Sequence, residues 1–133
     1  MSTVLFACVH NAGRSQMAAA LFNALADRSR ATAVSAGTRP GIHIHPEVVQ
    51  AMREVGIDVS GSTPRLLTAE LASRAALLVT MGCGEECPIV PAARREDWPL
   101  DDPKGRPLEE VRRIRDEIRT RVLELLRAEG WEA

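Results

Sequence analysis

Apolar and polar positions along this chain switch between two periods. Thr3 to Ala7 (TVLFA) is a short apolar run, the mark of a buried strand. From Arg14 to Ala26 the apolar residues recur at helical spacing, with Met17, Leu21, Phe22 and Leu25 on one face. Thr32 to Ser35 predicts a second short strand, stopped by Gly37, and TRPGIHIHP is a loop by its proline and glycine content. Pro46 to Val55 predicts a helix with proline in its first turn and a stop at Gly56. Thr68 is placed to cap a short helix running to Ser73, with Glu70 in its first turn. Ala76 to Met81 (ALLVTM) predicts a third buried strand. A proline-rich stretch follows from Pro88 to Pro107, with a weak edge strand over Glu96 to Trp98. Leu108 to Ala128 is the longest predicted helix; its Val111, Ile114, Ile118, Val122 and Leu125 are spaced to dock on a sheet.

Strand and helix alternating at this density predict an α/β fold, an open parallel sheet with helices on both faces. Neither repeats nor a linker divide residues 1–133, so one domain is expected. Ligands on such sheets sit at the carboxyl ends of the strands. Cys8 falls just past the first strand and Cys83 just past a later one, which places both at that edge.

Composition narrows the function classes. The formal net charge is −1, which argues against nucleic acid or a membrane surface as partner. Aromatic residues make up only 3% and tyrosine is absent, so the core rests on Val, Leu, Ile and Ala. No apolar run approaches the length of a membrane span, and no basic region precedes the first apolar residues as in a signal peptide. A cytoplasmic protein is expected. Three cysteines, an odd number, suit reactive thiols in a reducing compartment better than a disulfide framework.

The seam between the first strand and first helix reads CVHNAGRS, Cys8 to Ser15. A loop in this place can turn the amides of Val9, His10, Asn11, Ala12, Gly13, Arg14 and Ser15 toward one small anion, helped by the positive end of the helix. Gly13 permits close approach of the backbone. Arg14 offers a planar fork to a tetrahedral oxyanion. The same field favours the thiolate of Cys8, and Ser15 can hydrogen-bond it. The plain alternative, a cysteine buried for packing, leaves Gly13 and Arg14 at the helix start unexplained.

CVHNAGRS resembles the Cys-x5-Arg-Ser loop of the low molecular weight tyrosine phosphatase family. VLFACVHNAGRSQMAAAL, SAGTRP, LVTMGC, CPIVP and DWPLDDPKG, in that order, are similar to its arsenate reductase branch, of the thioredoxin-linked type. The resemblance covers nearly the whole chain. It implies a four-stranded parallel sheet flanked by helices, arsenate as substrate with phosphate or sulfate as mimics, and weak phosphatase side activity. It also puts Asp102, directly before Pro103, in the role of general acid; alone, Asp-Asp-Pro is a turn signal, and Asp101 is the lesser candidate.

A phosphatase needs one thiol, whereas arsenate reduction needs two electrons, which a second thiol supplies. The resemblance implies attack of Cys8 on arsenate, then of Cys83 on Cys8 with release of arsenite, then of Cys87 on Cys83. The resulting disulfide passes to thioredoxin, a glutaredoxin-type protein or a small thiol. The interval between Cys83 and Cys87 is shorter than in the thioredoxin-linked members. The competing function is a protein tyrosine phosphatase in which Cys83 and Cys87 only protect Cys8 from oxidation.

No cofactor and no metal are expected, since Cys-x3-Cys with distant His43 and His45 is poor zinc spacing. Some thioredoxin-linked members hold potassium through an Asn, a Ser and two acidic residues. Asn11 and Ser35 match, but Ala19 and Arg65 stand at the acidic positions, so no potassium site is expected. Arg65 either takes the place of the cation or is an ordinary solvated arginine. His10 is expected to contribute backbone only, His43 and His45 to be exposed, and Trp98 to cover the cavity edge or pack under the acid loop. The arginines of RRIRDEIRTR are expected on a solvated face with i,i+4 pairs.

Overall fold

The computed structural model describes residues 1–82 and 94–133. Cys83 and Cys87 lie outside them, as does the proline-rich stretch from Pro88 to Ala93. The elements are β1 (Ser2–Cys8), α1 (Arg14–Leu25), β2 (Ala31–Gly37), α2 (Pro46–Arg53), α3 (Ala69–Ser73), β3 (Leu77–Thr80), β4 (Arg95–Asp97) and α4 (Leu108–Glu129). The sheet has the order β2-β1-β3-β4, and every pair is parallel. Order reverses around β1, so the loop leaving β1 opens into the crevice where such sheets bind ligands.

Boundaries differ from the apolar pattern for identifiable reasons. β1 and β2 pair continuously from Ser2↔Ala31 to Cys8↔Gly37, so the ladder carries extended backbone beyond both apolar runs. Cys8 is therefore the last residue of the strand rather than the first of the loop. β4 sits one residue earlier than Glu96 to Trp98, because its register is set by Leu78↔Arg95 to Thr80↔Asp97. α2 stops at Arg53, where Val55 and Ile57 both donate their N–H to the Met52 carbonyl around Gly56, whose φ is 80°. Thr68 caps α3 through an Oγ1 that accepts from the Leu71 amide at 3.0 Å.

The two-residue period of the strands sorts the core. Val4, Phe6, Cys8 and Val79 face α1, α2 and α4, while Leu5, Ala7, Ala36 and Leu78 face the α3 side with Leu67 and Ala72. The helices thus cover both faces of the sheet. Of its two expected directions, Trp98 takes the inward one. It is buried in the larger core with its ring centroid 5.5 Å from Phe6, and its indole N–H donates to Glu96. The long helix also departs from a simple solvated face. Arg115 is buried against α2, donating to the Ala51 carbonyl and to Glu54, which Arg112 also grips. That network holds α4 to the end of α2 through Arg112 and Arg115, while Arg113 and Arg119 stay on the exposed face as expected.

Phe6 is fully buried and touches the rings of both Phe22 and Trp98. Phe6→Ala is expected to cost about 3–5 kcal/mol of unfolding free energy, measurable by urea denaturation followed through tryptophan fluorescence.

Candidate active site

The backbone between Cys8 and Ser15 is held by its carbonyls. The Cys8, Val9 and His10 carbonyls accept the N–H groups of Thr38, Arg39 and Gly41. The Asn11 carbonyl accepts Gln16 Nε2, and the Ala12 carbonyl accepts the His45 N–H. Every peptide among the described residues is trans, and in a trans peptide the N–H points opposite to the carbonyl before it. Carbonyls tied outward from Val9 to Ala12 therefore turn the amides of His10, Asn11, Ala12 and Gly13 to the other side. Among the described residues none of these four amides has an acceptor. They join the first amides of α1, at Arg14 and Ser15, to form a cradle of donors for an anion.

Asn11 makes this path possible. It is buried and adopts a left-handed φ of 51°, which Asn tolerates better than most residues. Its Nδ2 donates to Ser15 Oγ at 2.7 Å, and its Oδ1 accepts from the Arg65 amide at 3.0 Å and from Gln16 at 3.1 Å. Ser15 Oγ lies 2.8 Å from Cys8 Sγ. With Asn11 donating to the serine oxygen, the serine hydroxyl is free to donate to a thiolate. Cys8 is buried, 2% exposed, with its sulfur against the start of α1.

Arg14 is equally buried, and its orientation is fixed. Nη1 donates to the Met81 carbonyl at 2.6 Å and to the Leu100 carbonyl at 3.1 Å. Nη2 lies 3.7 Å from Asp102 Oδ2, and the Nε–Nη2 edge has no hydrogen-bond acceptor among the described residues. Gly82 explains how Met81 and Leu100 come so near. Its φ is 78°, and a Cβ there would sit 3.1 Å from Arg14 Nη1 and 3.2 Å from the Leu100 oxygen. Asp102 itself is half exposed and accepts the Lys104 N–H at 3.0 Å. Asp101 turns away to Arg113 on α4. Pro103 anchors the Asp102 loop to the cradle: a Cβ on Gly13 would come within 2.7 Å of the Pro103 ring.

The structure thus joins Cys8 to Ser15 at the two ends of the loop, and sets Asp102 beside the Arg14 guanidinium that leaves it. Sequence reasoning missed Gln16, which braces Asn11, and the Met81 and Leu100 carbonyls that orient Arg14. Only the amphipathic break at a polar Gln16 inside an apolar helix hinted at the first. Arg65 touches the scaffold directly, donating Nε to the Ser35 carbonyl at 3.2 Å. His43 is exposed as expected, whereas His45 is not. It is half-buried against Gly13, with its amide on the Ala12 carbonyl. The apolar Ile44 beside it is drawn into the core and carries His45 with it. Burial pushes the His45 imidazole below its usual value; the charge of Asp102 opposes this, and Lys104 and His10 add to it.

The model of the low molecular weight phosphotyrosine protein phosphatase family matches residues 3–130. A Halobacterium salinarum protein provisionally named an arsenate reductase is 40% identical over 128 residues, covering 90% of this chain and 87% of its own. Arsenate reductase 2 of Staphylococcus epidermidis is 36% identical, covering 90% and 92%. Among solved structures, the thioredoxin-dependent arsenate reductase of Corynebacterium glutamicum aligns with TM-score 0.78 and 38% identity over 96% of this chain, which spans 60% of that longer one. An arsenate reductase in the phosphate binding state aligns with TM-score 0.82 and 32% identity, covering 96% and 98%.

The depressed His45 value carries a sign. The unfolded chain takes up this proton near the ordinary 6.5, before the folded chain does. Its contribution to stability is whole above that pH and falls as the pH drops toward the lower folded value. Melting temperatures at pH 7.5 and 5.5 are expected to differ less in His45→Gln than in wild type. Equal acid losses in the two would exclude His45 as a source of that pH dependence.

Proposed function

We infer that this chain, which belongs to the low molecular weight phosphotyrosine protein phosphatase family, is an arsenate reductase. One observation carries the choice of chemistry: a buried cysteine sulfur on a cradle of unpartnered amides, whose own arginine is fixed beside a carboxyl group. This is a nucleophile, an oxyanion clamp and a proton donor in one crevice.

The proposed reaction begins with arsenate in the cradle, its oxygens on the loop amides and the Nε–Nη2 edge of Arg14. The Cys8 thiolate, held by the Ser15 hydroxyl, attacks arsenic. Asp102 gives its proton to the departing oxygen, which leaves as water. Cys83 then attacks Cys8 Sγ. The electron pair of the sulfur–arsenic bond stays on arsenic, so arsenic goes from +5 to +3 and leaves as arsenite while a Cys8–Cys83 disulfide forms. Cys87 attacks Cys83 and restores the Cys8 thiolate. A dithiol protein of the thioredoxin type reduces the Cys83–Cys87 disulfide. The balance is one arsenate and two thiols giving arsenite, water and a disulfide. The Corynebacterium relative, named as thioredoxin-dependent, supports that choice of reductant. We place the protein in the cytoplasm, where such thiols stay reduced. No described helix is long and apolar enough to cross a membrane.

The family also contains phosphatases, and one from T. tengcongensis aligns with TM-score 0.84 at 26% identity, covering 96% of this chain and 99% of its own. The aromatic residues weigh against that function here. Trp98 meets Phe6 at a tilt, and Phe6 and Phe22, like Phe22 and Trp131, meet edge to face, so all four aromatics form one series in and against the core. None remains to sandwich a phenol ring at the cradle. A compact inorganic oxyanion suits such a mouth better.

Asp102→Asn is expected to slow formation of the cysteine–arsenic adduct by roughly 10²–10⁴-fold while arsenate binding survives. Cys8→Ser and Arg14→Lys should abolish turnover, the first for want of a thiolate and the second for want of the planar fork. Rapid-quench measurement of the first turnover checks these, and a larger loss in Asp101→Asn than in Asp102→Asn would move the acid by one residue.

The relay has its own test. Cys87→Ser is expected to accumulate a Cys8–Cys83 disulfide after one arsenate turnover and to lose cycling with thioredoxin, yet to keep hydrolysis of a small phosphate ester. Peptide mass mapping reads the trapped bond. Normal cycling with no trapped bond would replace the relay by a small-thiol mechanism.

A further inference from the structure

A second cavity, of about 390 Å³, lies behind the cradle rather than at its mouth. Its polar lining comes from Gln16 and Asn23 on α1, Ser35 on β2, and Ser62, Thr63 and Arg65 on the loop before α3. Ala19 and Ala33 supply small walls. No carboxylate is among the lining residues, so the only formal charge there is the positive one of Arg65. A cation would meet that charge with nothing to offset it. An anion would meet a guanidinium and two hydroxyls, a donor set suited to a tetrahedral oxyanion.

The three donors are exposed on the loop, and one of them, Arg65, is anchored. Arg65 is fixed by its Nε on the Ser35 carbonyl, its amide on Asn11 Oδ1 and its carbonyl on the Gly37 N–H. Its two terminal nitrogens have no acceptor, and it makes no ion pair among the described residues. The side-chain hydroxyls of Ser62 and Thr63 are likewise without partners among the described residues. The cavity is also wired to the nucleophile: Arg65 to Asn11 at 3.0 Å, Asn11 to Ser15 at 2.7 Å, Ser15 to Cys8 at 2.8 Å.

We propose that this cavity is a second, regulatory anion site, binding a small inorganic oxyanion of the phosphate or sulfate class through Arg65, Ser62 and Thr63, and coupled to the Cys8 cradle through Asn11 and Ser15. An anion on the terminal nitrogens competes with the Ser35 carbonyl for the guanidinium and shifts the Arg65 backbone that holds Asn11. The cradle then closes on its own ligand with a different affinity, and by linkage the cradle's ligand alters the second site equally. The site stands whichever oxyanion Cys8 transforms.

Sulfate titration of the ¹⁵N-labelled protein, followed by amide shifts, tests this. Wild type is expected to show two saturable sets with separate midpoints, one at His10 to Ser15 and one at Asn23, Ser62, Thr63 and Arg65. Arg65→Gln should lose the second set and change the midpoint of the first at least twofold, while Arg65→Lys, which keeps the charge, retains the second set with weaker binding. Shifts at Ser62 and Thr63 that grow linearly with salt, or a second set unchanged in Arg65→Gln, would overturn the site. An identical cradle midpoint in wild type and Arg65→Gln would overturn the coupling.

Discussion

The site depends on a backbone turned inside out. From Cys8 to Ala12 each carbonyl is bound on the outside, by three loop amides after β2, by Gln16 and by the His45 amide. Only because those acceptors are satisfied away from the centre can consecutive amides point inward with no partner. A free peptide of this sequence has no reason to adopt that arrangement, since bare donors gathered in one place repel each other and forgo water. The cost falls on folding, and β2, α2 and the segment around Arg65 supply the compensation. The cradle loop is shaped by residues far from it in sequence.

Arg14 follows the same logic. A guanidinium 7% exposed costs free energy when it leaves water, and its described partners are two carbonyl oxygens and a carboxylate 3.7 Å away that is itself half exposed. That leaves the cation undercompensated until an anion enters the cradle. Binding an oxyanion then supplies the missing charge to a group already desolvated and already oriented, and no reorganisation is needed at that moment. The glycines permit this crowding. Gly13 admits the Pro103 ring, Gly37 admits the Val9 oxygen and Asn11 nitrogen, and Gly82 admits Arg14 and Leu100. A methyl group at any of them meets one of the parts that build the site.

The order of strands and helices was legible in the sequence because the apolar period changes cleanly, from the run TVLFA to the helical spacing of Met17, Leu21 and Phe22. The cradle was legible because a cysteine, a glycine and an arginine fall between those two periods. The ends of β1 and β2 were not, because their length comes from mutual pairing and not from their own apolar residues. Arg115 and His45 escaped for a related reason. Polar residues read as solvated unless a partner across the fold is known, and here Glu54 and the Gly13–Pro103 contact are those partners. The two expected places of Trp98 stayed undecided because a lone aromatic in a proline-rich stretch gives no direction, whereas its ring meets Phe6 from a strand 92 residues away.

Phosphoryl hydrolysis and arsenate reduction share every group in the cradle, so the cradle alone does not choose between them. The divergence comes after the first bond to sulfur. A phosphorus–sulfur bond offers no accessible lower oxidation state, and the intermediate must wait for water. An arsenic–sulfur bond can release its pair to arsenic if a second sulfur takes the first, which turns the same intermediate into a redox step. The proposed reductase would differ from a phosphatase by two features outside the cradle, a second thiol and a mouth that gives no binding energy to a phenol. The aromatic series running inward from Trp98 through Phe6 and Phe22 to Trp131 supplies the second feature by committing every ring to packing. In the proposed relay the first is Cys83, the residue that follows Gly82 in the chain.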